Sequence, residues 1–282
     1  MLILALYSSA SNLLSRSIKS GNFVMEDHSA VVLSALGAGQ ILLERSNFQI
    51  RFAPFVALDE GTALVDRLYS RRGYKSWINS GAAPSDRITL QARSDNGVFG
   101  TLTLSFDGCD GLAADALYRS EIDAYRIAGA RVCEVTRLAI EPEWGTKEVL
   151  GALFHVAYVV ARVLRGASDA FIEVNPHHVS FYQRMLHFRR AGECRMCARV
   201  DAPAVLLHLA VSHMREQIGL YGGRCEEARG SLYPYFFSVD EERGLARRVL
   251  TPQTSSRPLQ GPTPEPVVLR LIRNAEPSGT RS

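Results

Sequence analysis

Lysine is almost missing from this chain: Lys19, Lys75 and Lys147 are its only three among 282 residues, so arginine carries nearly all the positive charge. Net charge is small as well, +3 at pH 7. A dedicated nucleic-acid binder would instead show a pI above about 9 with its basic residues gathered on one face. Arginine offers a rigid fork to carboxylates and phosphates, which suits an acidic partner or substrate, although biased genome composition explains the same excess equally well. Cysteine is sparse and odd in number (Cys109, Cys133, Cys194, Cys197, Cys225). Five irregularly spaced thiols make no disulfide framework and read as reduced cysteines of a cytoplasmic protein. Long hydrophobic runs are missing too. The longest, Val149 to Leu164, contains His155 and Arg162 and falls short of the roughly 20 residues of a membrane span. Met1 to Tyr7 is apolar but lacks a charged flank and is short for a signal-peptide core. These absences predict a soluble protein with no nucleic-acid partner and no integral membrane span.

What is present points to one good-sized domain with extensions, at 46% apolar and 22% charged residues. Residues 1–46 form an N-terminal extension of unknown role. Phe48 to Val56 reads as a strand, and Asp59-Glu60 opens a helix with Leu64, Val65, Leu68 and Tyr69 on one face. Two alternating segments around Asp95-Asn96-Gly97 predict a hairpin. A polar helix near 119–127, a strand at 132–141 and a helix from Lys147 to Arg165 follow. In that helix Glu148, His155 and Arg162 recur every seven residues, a thin polar stripe on an apolar cylinder that must be covered on most sides. A strand at 170–174 meets Asn175-Pro176, a cap and a first helical position. Strands near 188–200 and 203–210 close the sheet. Ser238 with Glu241 predicts a capping box and a C-terminal helix over 240–250. The proline-rich segment 251–282 is expected to be disordered. The fold class expected is α/β (α+β): a mixed central sheet with helices on both faces.

Chemistry concentrates on two strands. Glu134 lies on a central strand, where a carboxylate is rare unless paired or functional; it reads either as the group that orients or deprotonates an amine or as half of a structural ion pair. Arg137 keeps its proton and is a donor or anion clamp. On a regular strand Glu134 and Thr136 share one face while Arg137 points to the other, so a β-bulge is required for all to line one cleft. Tyr182 sits at a spacing, with Phe181, Met185 and Leu186, that equally suits a core-facing helix. His178, beside His177 at the helix start, is a further candidate base. Cys194-x-x-Cys197 lacks the additional ligands a metal site needs, so no metal is expected.

Glu134-Val-Thr136-Arg137 on one strand, with Asn175-Pro-His-His-Val-Ser-Phe-Tyr182 and Phe188 after the next, resembles the GNAT-like acyltransferases. Within them the chain looks most like the long-chain N-acyl amino acid synthases, relatives of acyl-homoserine lactone synthases. The resemblance covers about Phe48 to Val239, assigned here as a domain over 47–239, and includes Ala202 to Leu209 and Leu232 to Ser238. It implies transfer of a fatty acyl group from a carrier thioester to the α-amine of an amino acid. Glu134, Arg137, Tyr182 and His178 would then be catalytic, Tyr182 in the place of the thiol-protonating acid. Thr136, Leu138, Asn175 and Phe181 would contact substrate. No cofactor would be permanently bound; the donor is the acyl-phosphopantetheine of an acyl carrier protein, or acyl-CoA.

One departure from the resembled pattern separates those donors. CoA users of this fold usually carry a Gln/Arg-x-x-Gly-x-Gly/Ala loop at the start of the central helix, whose N–H groups cradle the pyrophosphate. Here the segment is Glu141-Pro-Glu-Trp-Gly-Thr-Lys-Glu148, with one glycine and two acids before it. That favours an acyl carrier protein, whose acidic helix Lys147, Arg162, Arg165, Arg189 and Arg190 would contact. The remaining readings are acyl-CoA-dependent N-acetyltransfer, lactone synthesis, and a non-catalytic binding domain in which Glu134 and Arg137 merely pair.

Overall fold

A computed structural model describes residues 39–54, 59–74, 86–227 and 230–251; most of the expected N-terminal extension and of the proline-rich tail lies outside them. One sheet organises the described chain. Its strands are β1 (Ile41–Glu44), β2 (Gln49–Phe52), β3 (Arg87–Ser94), β4 (Gly97–Phe106), β5 (Val132–Ile140), β6 (Asp169–Val174), β7 (Arg189–Arg190), β8 (Arg195–Cys197) and β9 (Ala202–Ala210). They lie in the order β1-β2-β3-β4-β5-β6-β9-β7, with β8 on β9. Every pairing is antiparallel except β5 with β6. The helices are α1 (Glu60–Ser70), α2 (Asp115–Ile127), α3 (Lys147–Arg165), α4 (Pro176–Leu186), α5 (Val211–Tyr221) and α6 (Val239–Leu250).

Strand alternation sorts the side chains onto two unlike faces. On one, Leu90, Leu102, Leu104, Cys133, Val135 and Ile172 join α3 and α6 in a single apolar core. On the other, α1 buries Leu64, Leu68 and Tyr69 against Ala139, and α2 buries Tyr118 and Ile122 against Val132 and Phe171. Between α1 and α2 this second face is polar although buried: Thr101, Thr103, Ser105, Glu134, Thr136 and Glu173 line it. Alternation of period two makes such a split, because each strand sends odd and even positions to opposite sides.

The apolar cylinder expected of α3 is covered. Residues Val149 to Ala161 are all buried, and α6 and the Tyr233–Tyr235 turn supply the cover. The seven-residue stripe is what fastens it. The Phe237 N–H donates to His155 Nδ1 (2.8 Å), His155 Nε2 meets Glu242 (3.2 Å), and Arg162 meets the other Glu242 oxygen (2.7 Å). Gly151 lets the turn lie flat on the helix, since a Cβ there would stand 2.8 Å from Tyr235 Cβ and 2.9 Å from its carbonyl oxygen. Ser238 and Glu241 form the expected capping box at the start of α6. The sheet begins earlier than expected: β1 falls within the assigned 1–46 extension, and Gln40 donates to the carbonyls of Arg248 and Thr251 at the end of α6. Among the described residues no helix is long and apolar enough to cross a membrane.

Candidate active site

The two central parallel strands part. β5 and β6 pair only at Val132↔Asp169, Cys133↔Ala170 and Glu134↔Phe171; β5 then runs on to Ile140 and β6 to Val174 with no pairing between them. Their facing N–H and C=O groups beyond Glu134 lack the ladder partners a sheet would supply, and backbone groups in a protein interior need partners. The gap opens toward the C-terminal ends of both strands, where the N-termini of α3 and α4 stand.

A bulge shapes one wall. Thr103 opposes Thr136 and Thr101 opposes Ala139, so Arg137 and Leu138 together face Leu102. Arg137 takes up the extra residue in a left-handed conformation (φ 49°), which costs a non-glycine residue on the order of 1 kcal/mol. The Thr101 hydroxyl donates to the Arg137 carbonyl (2.9 Å). Arg137's charge acts on Tyr69 of α1, on the face that carries Glu134 and Thr136. The bulge required by the spacing is therefore present. It sends Leu138 to the apolar core on the opposite face, so Leu138 and Thr136 do not line the same wall.

Glu134 is fully buried, and its two oxygens differ. Oε2 accepts the N–H groups of Ala113 (2.9 Å) and Ala114 (3.2 Å) at the head of α2, while Oε1 has no hydrogen-bond partner. Burial pushes its carboxyl up to about 8; the neighbouring negative charge of Glu173 adds to this, and the Ala114 N–H, Arg199 and the Ala113 N–H oppose it. Glu173 of β6 is as deeply buried and is bonded to Arg199 (2.8 Å), which also donates to the Ala113 carbonyl (2.6 Å). Sequence reasoning missed Glu173 and Arg199.

The α4 candidates approach from the mouth. Tyr182 is fully buried and its hydroxyl has no hydrogen-bond partner; burial, then Tyr69, push it well above the ordinary phenol range. His178, one turn earlier, is half-buried and held below the ordinary imidazole range by burial and by Arg72. Asn175 caps α4, its side chain accepting the His177 N–H (3.1 Å), and Phe181 packs edge-on to Tyr182 (5.2 Å). Beneath the zipped end of the strands, on the apolar face, lies a cavity of about 30 Å³ lined by Cys133, Val135, Ala170, Phe188, Phe154 and Tyr158 among others.

The basic residues expected to meet a carrier are not brought together. Lys147 starts α3 and Arg165 ends it, about 27 Å apart at 1.5 Å per residue. Arg162 is held by Glu242 and Arg165 lies over Phe106. Arg189 and Arg190 are exposed on β7, which pairs with Leu207 and His208 of β9, level with the closed end of the gap. Only Lys147 of the five stands at the mouth, where Arg67 of α1, paired with Glu141, and Arg72, just past the end of α1 and near His178, also lie. The lead-in to α3 is a 3-10 turn, Pro142–Trp144. Trp144 stacks on Phe99 (4.1 Å between ring centres), Glu141 pairs with Arg67, and Glu143 is exposed. Thr146 caps the helix by accepting the Val149 N–H (3.2 Å). Cys197 lies buried near Glu173 while Cys194 is exposed; among the described residues no three His, Cys, Asp or Glu side chains gather as metal ligands.

Residues 60–210 match the N-acyl amino acid synthase FeeM family. The solved structure of FeeM, an N-acyl amino acid synthase from uncultured soil microbes, is 25% identical, with 59% of this chain and 97% of that one aligned and a TM-score of 0.53. An acyl-CoA N-acyltransferase from Pseudomonas aeruginosa is 13% identical over 58% of this chain and 99% of its own (TM-score 0.39). A spermidine N-acetyltransferase SpeG variant from Vibrio cholerae is 13% identical over 60% and 97% (TM-score 0.41). No curated protein matches the chain.

Proposed function

The chain belongs to the N-acyl amino acid synthase FeeM family, a family of acyltransferases, and from that premise we propose that it moves a long-chain acyl group from an acyl carrier protein thioester to the α-amine of an amino acid. The observation that carries this reading is the parting of β5 from β6 just beyond Glu134 and Phe171. A pantetheine arm is extended and contains two amides, so it can lie in the gap like an added strand and satisfy the open backbone groups. The two faces then divide the substrates. A polar amino acid suits the buried Thr, Ser and Glu floor between α1 and α2; a fatty chain suits the apolar cavity across the sheet, lined by Leu104, Val135, Phe154 and Phe188 among others.

The chemistry assigns four roles. Glu134 takes a proton from the acceptor's ammonium. The freed amine attacks the thioester carbonyl and the C–N bond forms; the tetrahedral oxyanion is met by backbone N–H groups at the bulge and by Arg137. On collapse the C–S bond breaks, and Tyr182, whose burial keeps its O–H intact, protonates the leaving sulfur. The second proton lost by nitrogen restores the tyrosine. His178, held neutral, is the alternative acceptor for that proton.

The choice of carrier over CoA rests on the head of α3. Glu143 and Glu148 are exposed there, Glu141 is tied to Arg67, and the only glycine is Gly145. A diphosphate would meet negative charge where it needs donors. A carrier protein brings no diphosphate, and its acidic helix would find Lys147 and Arg72 at the mouth. The test is transfer by the purified chain to mixed amino acids, read by mass spectrometry, from long-chain acyl carrier protein and from the matching acyl-CoA. N-acyl amino acid formed preferentially from the carrier supports the reading; equal or better transfer from CoA removes the carrier claim, and no transfer from either removes the function.

A further inference from the structure

With Glu134 ionised, as a base must be, the buried cluster behind it is one positive charge short; with Glu134 protonated, its state below pH about 8, the cluster holds one carboxylate and one guanidinium. Two carboxylates, Glu134 and Glu173, share one guanidinium, Arg199, inside the protein. Each carboxylate keeps one oxygen, Oε1, without a nitrogen or oxygen donor, and only the weakly donating Cys197 thiol lies close enough to the Glu173 carboxylate to act on it. A third orphan lies beside Glu134: Ser105, 5% exposed, is its register partner on β4, across β5 from the strand of Glu173, and its hydroxyl also lacks a partner. Three unpartnered buried oxygens in one neighbourhood are unusual, because buried polar atoms are nearly always satisfied and each exception costs about 1–3 kcal/mol. An ammonium group has three N–H donors and one positive charge, which matches both deficits at once.

We propose that Glu134 Oε1, Glu173 Oε1 and Ser105 Oγ form the subsite for the acceptor's ammonium group, reached through the gap between β5 and β6. Glu173 is thereby a substrate-binding residue. This rests on the function proposed above and deepens it. Arg199 completes the arrangement by bonding Glu173 and the Ala113 carbonyl, while Glu134 holds the Ala113 and Ala114 N–H groups; both fix the Leu112–Ala114 segment as the back wall. Docking of the ammonium neutralises the cluster, and its first proton then passes to Glu134, leaving the amine free to attack. The binding selects for a primary amine, since a hydroxyl analogue brings one donor and no charge.

The test uses the full chain with saturating acyl donor. Glu173→Gln is expected to raise KM for the amino acid about 10- to 100-fold, the range of a charged hydrogen bond, with KM for the donor unchanged. The acid limb of kcat/KM should move to lower pH, because Glu134 loses a like charge; Arg199→Met should move it the opposite way. The titratable groups acting on Glu134 and Glu173 are Arg199, Cys197 and Tyr118, with Cys133 acting from the other face of β5, all kept in Glu173→Gln. A merely structural Glu173 predicts lower kcat or stability with both KM values and the pH limb unmoved, and that result would overturn the proposal. If Glu173→Gln fails to fold by circular dichroism, Ser105→Ala carries the same test, with a rise in amino-acid KM of about tenfold or less. Calorimetry on the unaltered protein separates the two readings. The twenty common amino acids are titrated singly, each against its 2-hydroxy counterpart. Amino acids binding where hydroxy acids do not supports the subsite even if transfer fails; hydroxy acids binding equally well, or no amino acid binding, contradicts it.

Discussion

Replacing Glu134 by Gln should make the protein more stable at pH 8 while removing its activity. The amide oxygen of Gln can accept the Ala113 and Ala114 N–H groups that Oε2 accepts now, so the head of α2 keeps its anchor. What disappears is a carboxyl whose folded pKa, about 8, stands above its unfolded value of 4.5. Such a group binds a proton more tightly in the folded state. Its stabilising contribution is complete below pH 4.5 and drains away as pH rises through 8, at up to about 1.4 kcal/mol per pH unit, or roughly 5 kcal/mol in all. Urea unfolding of both proteins at pH 5, 6, 7 and 8 reads this directly: the Gln variant should gain on the unaltered chain by a few kcal/mol across the series. Transfer should fall about 10²- to 10⁴-fold, the span of general-base catalysis. A stability difference independent of pH would refute the buried, proton-holding carboxyl; full activity in the Gln variant would refute its role as base.

Tyr182→Phe removes a hydroxyl that has no partner, so stability should hold or rise by about 1 kcal/mol. Its kcat should drop by about an order of magnitude, limited because a thiol of pKa about 8.5 leaves with little help; loss of stability with unchanged kcat would make it core alone. His155 is buried and held below the ordinary imidazole range, first by burial, with Glu242 pulling the other way. Its contribution is therefore intact above pH 6.5 and lost below it, and His155→Phe should flatten the loss of urea resistance between pH 7 and 5. Gly151→Ala forces a Cβ against the Tyr235 backbone and should cost about 1–3 kcal/mol in denaturant unfolding.

Much of this fold is legible in the sequence where local chemistry decides. The hairpin follows from Asp95-Asn96 with Gly97 at φ 117°, and α3 from Thr146 at its start and Gly166, left-handed, at its end. The helix α5 was hidden because Ala210 offers no capping side chain and the chain turns directly out of β9. β7 and β8 are two and three residues long, too short for alternation to register. The site was half legible. Glu134 stands out as a charge on an apolar strand, and Glu173 in Phe-Ile-Glu-Val carried the same signal. Its partner Arg199 did not, lying in a turn 26 residues away. The conformation of Arg137 was unreadable, since nothing local tells an arginine to adopt positive φ; only the mismatch between its face and that of Glu134 called for a bulge. The scatter of the five basic residues follows from tertiary placement at opposite ends of α3 and at the sheet edge.

A crystal structure with a stable thioether analogue of long-chain acyl-pantetheine measures the central relation directly. The arm is expected between residues 135–140 and 172–174, hydrogen-bonded to both strand edges, with its reactive carbon on the Glu134 side and its alkyl chain toward Val135 and Phe188. An arm bound elsewhere on the protein, with the strands unoccupied, would contradict the account.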